Sequence, residues 1–281
     1  MKAPPKDRWS IPIFVVVAFG WSWAWWLPLV LSGDTVEQGH AWPSQFPGLL
    51  GPLIAAIVVT AWLDGRPALA DYIRRLVRWR IGARAWATVV LPLLAFGAVA
   101  VVADGGVRIG DLDDMSGLPE LGVPLLLVVL IFVNGLGEEG GWRGFLFPRF
   151  RERYDLVPAS LAVAGIWAAW HIPLFLLLAS YKGFNPFTLV GFAIGLGAGA
   201  IVLGWIYQRT GASILAAAAW HGIYNLFAGT GDSAVRSAVV TGLVIAWAVR
   251  IMRHEAADRS NASPDPDQPD GALDARMGTR P

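Results

Sequence analysis

The stretch PELGVPLLLVVLIFVNGLGEEGGWRGFLFPRF, residues 119–150, decides the fold class. It carries no charge from Leu121 to Gly137, then presents Glu138, Glu139 and Arg143 before returning to apolar residues. A run of about 20 apolar residues matches the hydrocarbon thickness of a bilayer. An ionisable side chain at that depth costs about 2.5 to 3.5 kcal/mol on insertion scales, so each such group is a functional candidate. The rest of the 281-residue chain repeats the apolar half of this pattern: 55% hydrophobic, 15% charged, mean hydropathy +0.52, with fifteen Trp and thirteen Phe. An ordinary soluble domain carries about 25% charged residues. The chain is therefore read as an all-α, polytopic membrane helical bundle.

Working outward from residues 119–150, eight candidate spans emerge: Ile11–Leu31, Phe46–Leu63, Ala85–Ala103, Pro119–Gly141, Leu156–Ser180, Pro186–Tyr207, Ile214–Ala228 and Ala234–Ile251. The seventh is the shortest. With eight spans, fifteen Lys and Arg fall in segments on the side of the N-terminus, and three (Arg108, Lys182, Arg236) fall on the other. That asymmetry places both termini in the cytoplasm of a multi-pass protein of the cell's inner, plasma membrane. No cleavable signal peptide is evident, because the first apolar run is too long and lacks an Ala-x-Ala-like end. The net charge of +1 hides a body of 19 bases and 15 acids and an acidic stretch over 254–281. The basic excess reads as topology, not as a nucleic-acid footprint.

Three regions are expected: residues 1–118 with three transmembrane helices, 119–253 with the polar segments at membrane depth, and a disordered tail over 254–281. In the first region, Pro67–Trp79 places Leu69, Tyr72, Ile73, Leu76 and Val77 near one helical face, with arginines opposite. It reads either as an amphipathic helix on the inner leaflet or as a plain linker helix. The absence of cysteine excludes disulfides, thiol nucleophiles and Cys-ligated metals.

Beside Glu138, Glu139 and Arg143, two further spans carry polar groups: His171 in IWAAWHIPLF, and His221 and Asn225 in AWHGIYN. Counting 1.5 Å per residue from the arginine-bearing end puts Glu138 at about 15 Å, His221 at about 10 Å and His171 at about 22 Å, one slab of the bilayer. His221 and Asn225 are four residues apart on one helical face, as are Glu139 and Arg143, which can pair. Glu138 then points about 100° away from Glu139 and is left free for chemistry. A Glu hydrogen-bonded to a His can deprotonate a water. A His beside an Asn can donate to a developing oxyanion. The set suits hydrolysis at a carbonyl with water as nucleophile. Glu138, His171 and His221 are equally a ligand set for zinc, although the chain lacks the His-Glu-x-x-His element of common zinc peptidases. Ser213 stands at a helix start, where capping is its natural role.

These segments resemble the CPBP family of intramembrane peptidases, which includes CAAX proteases and bacteriocin-processing (Abi) proteins. The family pattern Glu-Glu-x-x-x-Arg, Phe-x-x-x-His and His-x-x-x-Asn is met here by Glu138-Glu139-Gly140-Gly141-Trp142-Arg143, by Trp167-Ala168-Ala169-Trp170-His171 and by His221-Gly222-Ile223-Tyr224-Asn225. Trp167 stands where the family usually has Phe. The resemblance covers roughly 119–228. It implies a catalytic Glu138, His171 as its partner in activating water, His221 and Asn225 as the oxyanion-binding pair, and Glu139 and Arg143 in support. It implies an endopeptidase acting on a membrane-associated peptide or protein, glutamic and without a required cofactor on one description, zinc-dependent on another. The Ala-, Arg- and Trp-rich composition reads as bacterial and argues against prenylated CAAX substrates.

Plainer readings stand beside these. Glu139 and Arg143 suit a purely structural ion pair, and Asn225 an interhelical hydrogen bond. Trp167 and Trp170 read as packing residues; Asn134, one turn before Glu138, could orient it or bond a neighbouring helix. His40 and His254 read as solvated surface. Arg74 to Arg84 read as topology determinants that also meet anionic lipid. The competing functions are a non-catalytic membrane scaffold or bacteriocin self-immunity protein of the same fold, and a proton-coupled carrier using the buried Glu and His as relays.

Overall fold

The computed structural model describes residues 7–106, 112–231 and 233–262. Arg108, and most of the stretch expected to be a disordered tail, lie outside them. Among the described residues, eight main helices form the bundle: α1 Asp7–Leu31, α2 Phe46–Leu76, α3 Ala83–Ala103, α4 Val123–Arg151, α5 Leu156–Trp170, α6 Pro186–Arg209, α7 Ile214–Ala228 and α8 Ala234–Ala262. Seven regions are long and apolar enough to cross a bilayer, and α7 is the shorter eighth. The final helix runs on through Ala262, past residue 253, where the sequence suggested the chain would leave regular structure.

At 15 residues α7 is about 22 Å long, less than the roughly 30 Å hydrocarbon core. It needs no greater length because it lies inside protein, packed by α3, α4, α6 and α8. Both of its ends are satisfied by side chains. Ser213 Oγ accepts from the Ala216 N–H at 3.0 Å, the capping role read from the sequence. At the other end Arg236 donates to the carbonyls of Phe227 and Thr230, and Ser237 donates to that of Ala228. Arg236, counted in the sequence as a loop charge, is buried and spends its guanidinium on these end carbonyls.

Several tryptophans of α1 do similar work. The Pro- and Gly-containing stretch before and into α2 leaves carbonyls without helical partners, and a membrane offers no water to satisfy them. Trp21, Trp25 and Trp26 donate their indole N–H groups to the carbonyls of Pro47, Ser44 and Gln45, and Ser22 Oγ donates to Gly48. α1 is thereby tied to α2, and Phe14 stacks on Phe145 of α4 at 4.7 Å. The N-terminal helices share one core with the motif-bearing ones.

α4 is the centrepiece. Two π-helical segments, Leu130–Gly135 and Trp142–Leu146, flank the regular α-helical stretch Leu136–Gly141 that carries both glutamates. Such bulges re-aim side chains along a helix and recur at functional sites. The helix passes between α7 and α2 at close range because glycine faces both. A Cβ on Gly135 would come within 2.5 Å of the Ala218 carbonyl oxygen of α7, and one on Gly141 within 2.4 Å of Pro52 in α2. The end of α2, read as an amphipathic leaflet helix or a plain linker, sets Tyr72 against this glycine track, while Ile73 and Val77 of the same stretch stay exposed. Tyr72 is buried there and donates to the Gly140 carbonyl at 3.0 Å.

Gly135→Ala should therefore destabilise the bundle by about 1–3 kcal/mol, the usual cost of overpacking. Gly242→Ala on α8, where a methyl group meets nothing within 4 Å, should leave the thermal midpoint unchanged or raise it. Thermal unfolding of both variants in one detergent checks the contrast.

Candidate active site

The residues singled out in the sequence converge from three helices, and their partners differ from the simplest expectation. Glu138 is not a free carboxylate. Its Oε1 accepts from the Asn134 amide at 2.7 Å; its Oε2 accepts from the indole N–H of Trp167 at 2.7 Å and, more weakly, from that of Trp142 at 3.4 Å. A carboxylate held away from water needs such donors, and N–H groups on both oxygens are the pattern that suits an ionised one. Asn134 and Trp142 lie four residues before and after Glu138, on its own helical face.

Glu139 faces the other way. It accepts from Arg143 at 3.1 Å and from Nδ1 of His221 at 2.8 Å. The ion pair expected from the spacing is present, and the glutamate–histidine hydrogen bond of the site joins Glu139 to His221. Among the described residues no hydrogen bond links Glu138 to His171. Instead His171, at the last turn of α5 before Pro173, donates from Nδ1 to the Trp167 carbonyl at 2.7 Å. Both imidazoles thus commit Nδ1–H to the protein. In their neutral forms Nε2 carries the lone pair; a proton on Nε2 of His221 would make that atom a donor.

Exposure separates two groups of residues. Glu139 and Arg143 are sealed, at 0% and 1%, and cannot touch a substrate without unfolding the site. Glu138, His171 and His221 keep 4%, 7% and 5%, and Asn225 is half-buried. Asn225 gives its amide to the Asn134 side-chain oxygen at 2.6 Å, so Asn225, Asn134 and Glu138 form one hydrogen-bonded chain across two helices.

Trp167, read as packing, is the hub. Its N–H reaches Glu138, its ring lies against the Arg143 guanidinium at 4.9 Å, and the rings of His171 and His221 flank it at 5.8 and 5.6 Å. Trp170 does pack, donating to Ser22 of α1 and meeting Trp26 edge-on at 4.8 Å. Asn134, left undecided in the sequence, does both things considered for it: it orients Glu138 and bonds a neighbouring helix. The signal for Asn134 and Trp167 was their position one turn before Glu138 and His171.

Glu138, His171 and His221 do not fit a zinc site in this arrangement. Among the described residues no three His, Asp or Glu groups stand where they could share an ion, and a cation at Glu138 would have to displace N–H donors from its oxygens.

Residues 120–227, which span α4 to α7, match the family model described as type II CAAX prenyl endopeptidase Rce1-like. The chain is 26% identical over 211 residues to CAAX prenyl protease 2 of Methanococcus maripaludis, covering 72% of this chain and 77% of that protein. The matched segment holds all three motifs, on α4, α5 and α7. Over residues 120–227, a little over a third of the chain, this protein is similar to CAAX-type endopeptidases.

Proposed function

We propose that this protein is an intramembrane endopeptidase that hydrolyses a peptide bond near the cytoplasmic face, with both termini on that face and the bundle in the plasma membrane. The observation that carries the reading is the environment of Glu138: a buried carboxylate with N–H donors on both oxygens, beside two imidazoles whose Nε2 atoms are uncommitted. A water admitted between Glu138 and Nε2 of His171 gives up a proton to the Glu138 carboxylate, with His171 as its partner, as the water attacks the scissile carbonyl; Glu138 carries that proton until the leaving amine takes it. The oxyanion that forms is met by Nε2–H of His221 and the second amide proton of Asn225. The proton taken from water passes to the departing amine as the tetrahedral intermediate collapses. Glu139 and Arg143 act through His221 and Trp167 and never meet the peptide. The substrate is a membrane-associated peptide or protein segment, and the protease activity named for the Methanococcus maripaludis relative supports peptide-bond cleavage.

Glu138→Gln and His171→Ala should each lower turnover by roughly 10²- to 10⁴-fold, the range of a lost general acid or base, with membrane insertion preserved. Comparing membrane-protein termini between cells carrying wild type and Glu138→Gln reads this directly, and names substrate and site together. Full activity in either variant would sink the mechanism; identical termini with both proteins well expressed would favour the scaffold.

Trp167→Phe installs the residue more usual in the family and removes the N–H to Glu138 while keeping an aromatic ring. A hydrogen bond to a charged group contributes about 1.5–3 kcal/mol. Turnover should therefore fall roughly ten- to a hundredfold with KM little changed. A variant that raises KM alone would assign Trp167 to substrate binding.

Water activation in this proposal uses side chains only. Turnover should survive chelation by EDTA and 1,10-phenanthroline. Loss on chelation with recovery on added zinc would replace the proposal with metal-assisted hydrolysis.

A further inference from the structure

We infer that the arginine-bearing end of the bundle holds a specific site for the phosphate of an anionic phospholipid, between the start of α3 and the end of α6. A groove of about 350 Å³ lies there, with Arg84 on one side and Arg209 on the other. It is built by residues 81–89 and 205–210, none of which belongs to the candidate active site.

The two arginines have no acid to neutralise them. Among the described residues no carboxylate pairs with Arg84 or Arg209, whereas Arg74, Arg75, Arg143 and Arg149 are all paired. The Arg209 guanidinium rests over the Trp205 ring at 5.3 Å, which holds it at the groove mouth. Basic pockets between helices at a membrane face are suited to acidic lipid headgroups, and guanidinium groups bind phosphate through paired N–H donors.

The groove is amphiphilic in the order a lipid requires. Arg84, Thr88 and Leu91 are spaced four and then three residues apart on α3, so they form one stripe running from the charged end toward mid-membrane. All three are exposed, Leu91 at 60%. Val89 and Ile206 close the floor and are buried. A headgroup phosphate between the arginines would lay its acyl chains along Leu91 and the exposed Leu94. A soluble phosphate would leave that apolar track unused.

The test uses the purified full-length protein in dodecyl maltoside, titrated with phosphatidylglycerol, phosphatidylcholine or inorganic phosphate and followed by native mass spectrometry and thermal midpoint. Phosphatidylglycerol should bind wild type and raise its midpoint, while phosphatidylcholine and inorganic phosphate should not. With each arginine near an acidic headgroup contributing on the usual scale, Arg84→Gln/Arg209→Gln should weaken phosphatidylglycerol binding roughly thirty-fold. Arg84→Lys/Arg209→Lys, which keeps the charge but loses the paired N–H donors, should fold and bind between wild type and the Gln pair. Arg250→Gln/Arg253→Gln, an equal charge change within α8 at residues that do not line the groove, should bind as wild type does. Equal losses in the two Gln pairs, equal stabilisation by phosphatidylcholine, or equal stabilisation by inorganic phosphate would each overturn the site.

Discussion

Two adjacent carboxylates, Glu138 and Glu139, sit inside a bundle that excludes water, and the arrangement around them follows from that cost. Insertion of one such group costs about 2.5 to 3.5 kcal/mol unless it is compensated. Each finds its own set of donors: Asn134, Trp142 and Trp167 for Glu138, and Arg143 and His221 for Glu139. Because these donors come from α4, α5 and α7, satisfying the pair docks three helices in one register. Removing a single partner would leave a buried charge uncompensated, which is why the site and the core cannot be separated.

Close approach is the second constraint. The donors reach the glutamates only if α4 runs against its neighbours without intervening side chains. Gly135 and Gly141 supply that freedom on opposite sides, and the two π segments set the direction in which Glu138 and Glu139 project. α7, too short to cross a bilayer alone, can sit in the middle because Ser213 and Arg236 satisfy its ends. Helix lengths, glycines and capping groups are therefore parts of one solution to backbone and charge burial without water.

Much of this was legible in the chain. Hydropathy located the helices, and the short seventh one was recognisable as atypical. The i, i+4 spacing of Glu139 and Arg143 foretold their ion pair, and Ser213 its cap. The polar residues inside apolar runs identified Glu138, His171, His221 and Asn225 as a set at one depth. Trp167 escaped, because an indole in an apolar span looks like packing until the position of its N–H is known. The burial of Tyr72 and Arg236 escaped for the same reason: an amphipathic or loop position does not reveal what stands opposite.

The sequence by itself determined that this is a multi-pass helical protein and which side chains stand at membrane depth. Those properties depend on residue type and on distance along a helix, both of which are local. Only the tertiary structure decided the pairing: that His221 serves Glu139 while Trp167 serves Glu138, and that Asn134 links Glu138 to Asn225. Hydrogen bonds are directional and span only about 3 Å, so partners on different helices depend on crossing angle, rotation and register. Those are set by glycine contacts and π segments acting together, and no spacing along one helix encodes them.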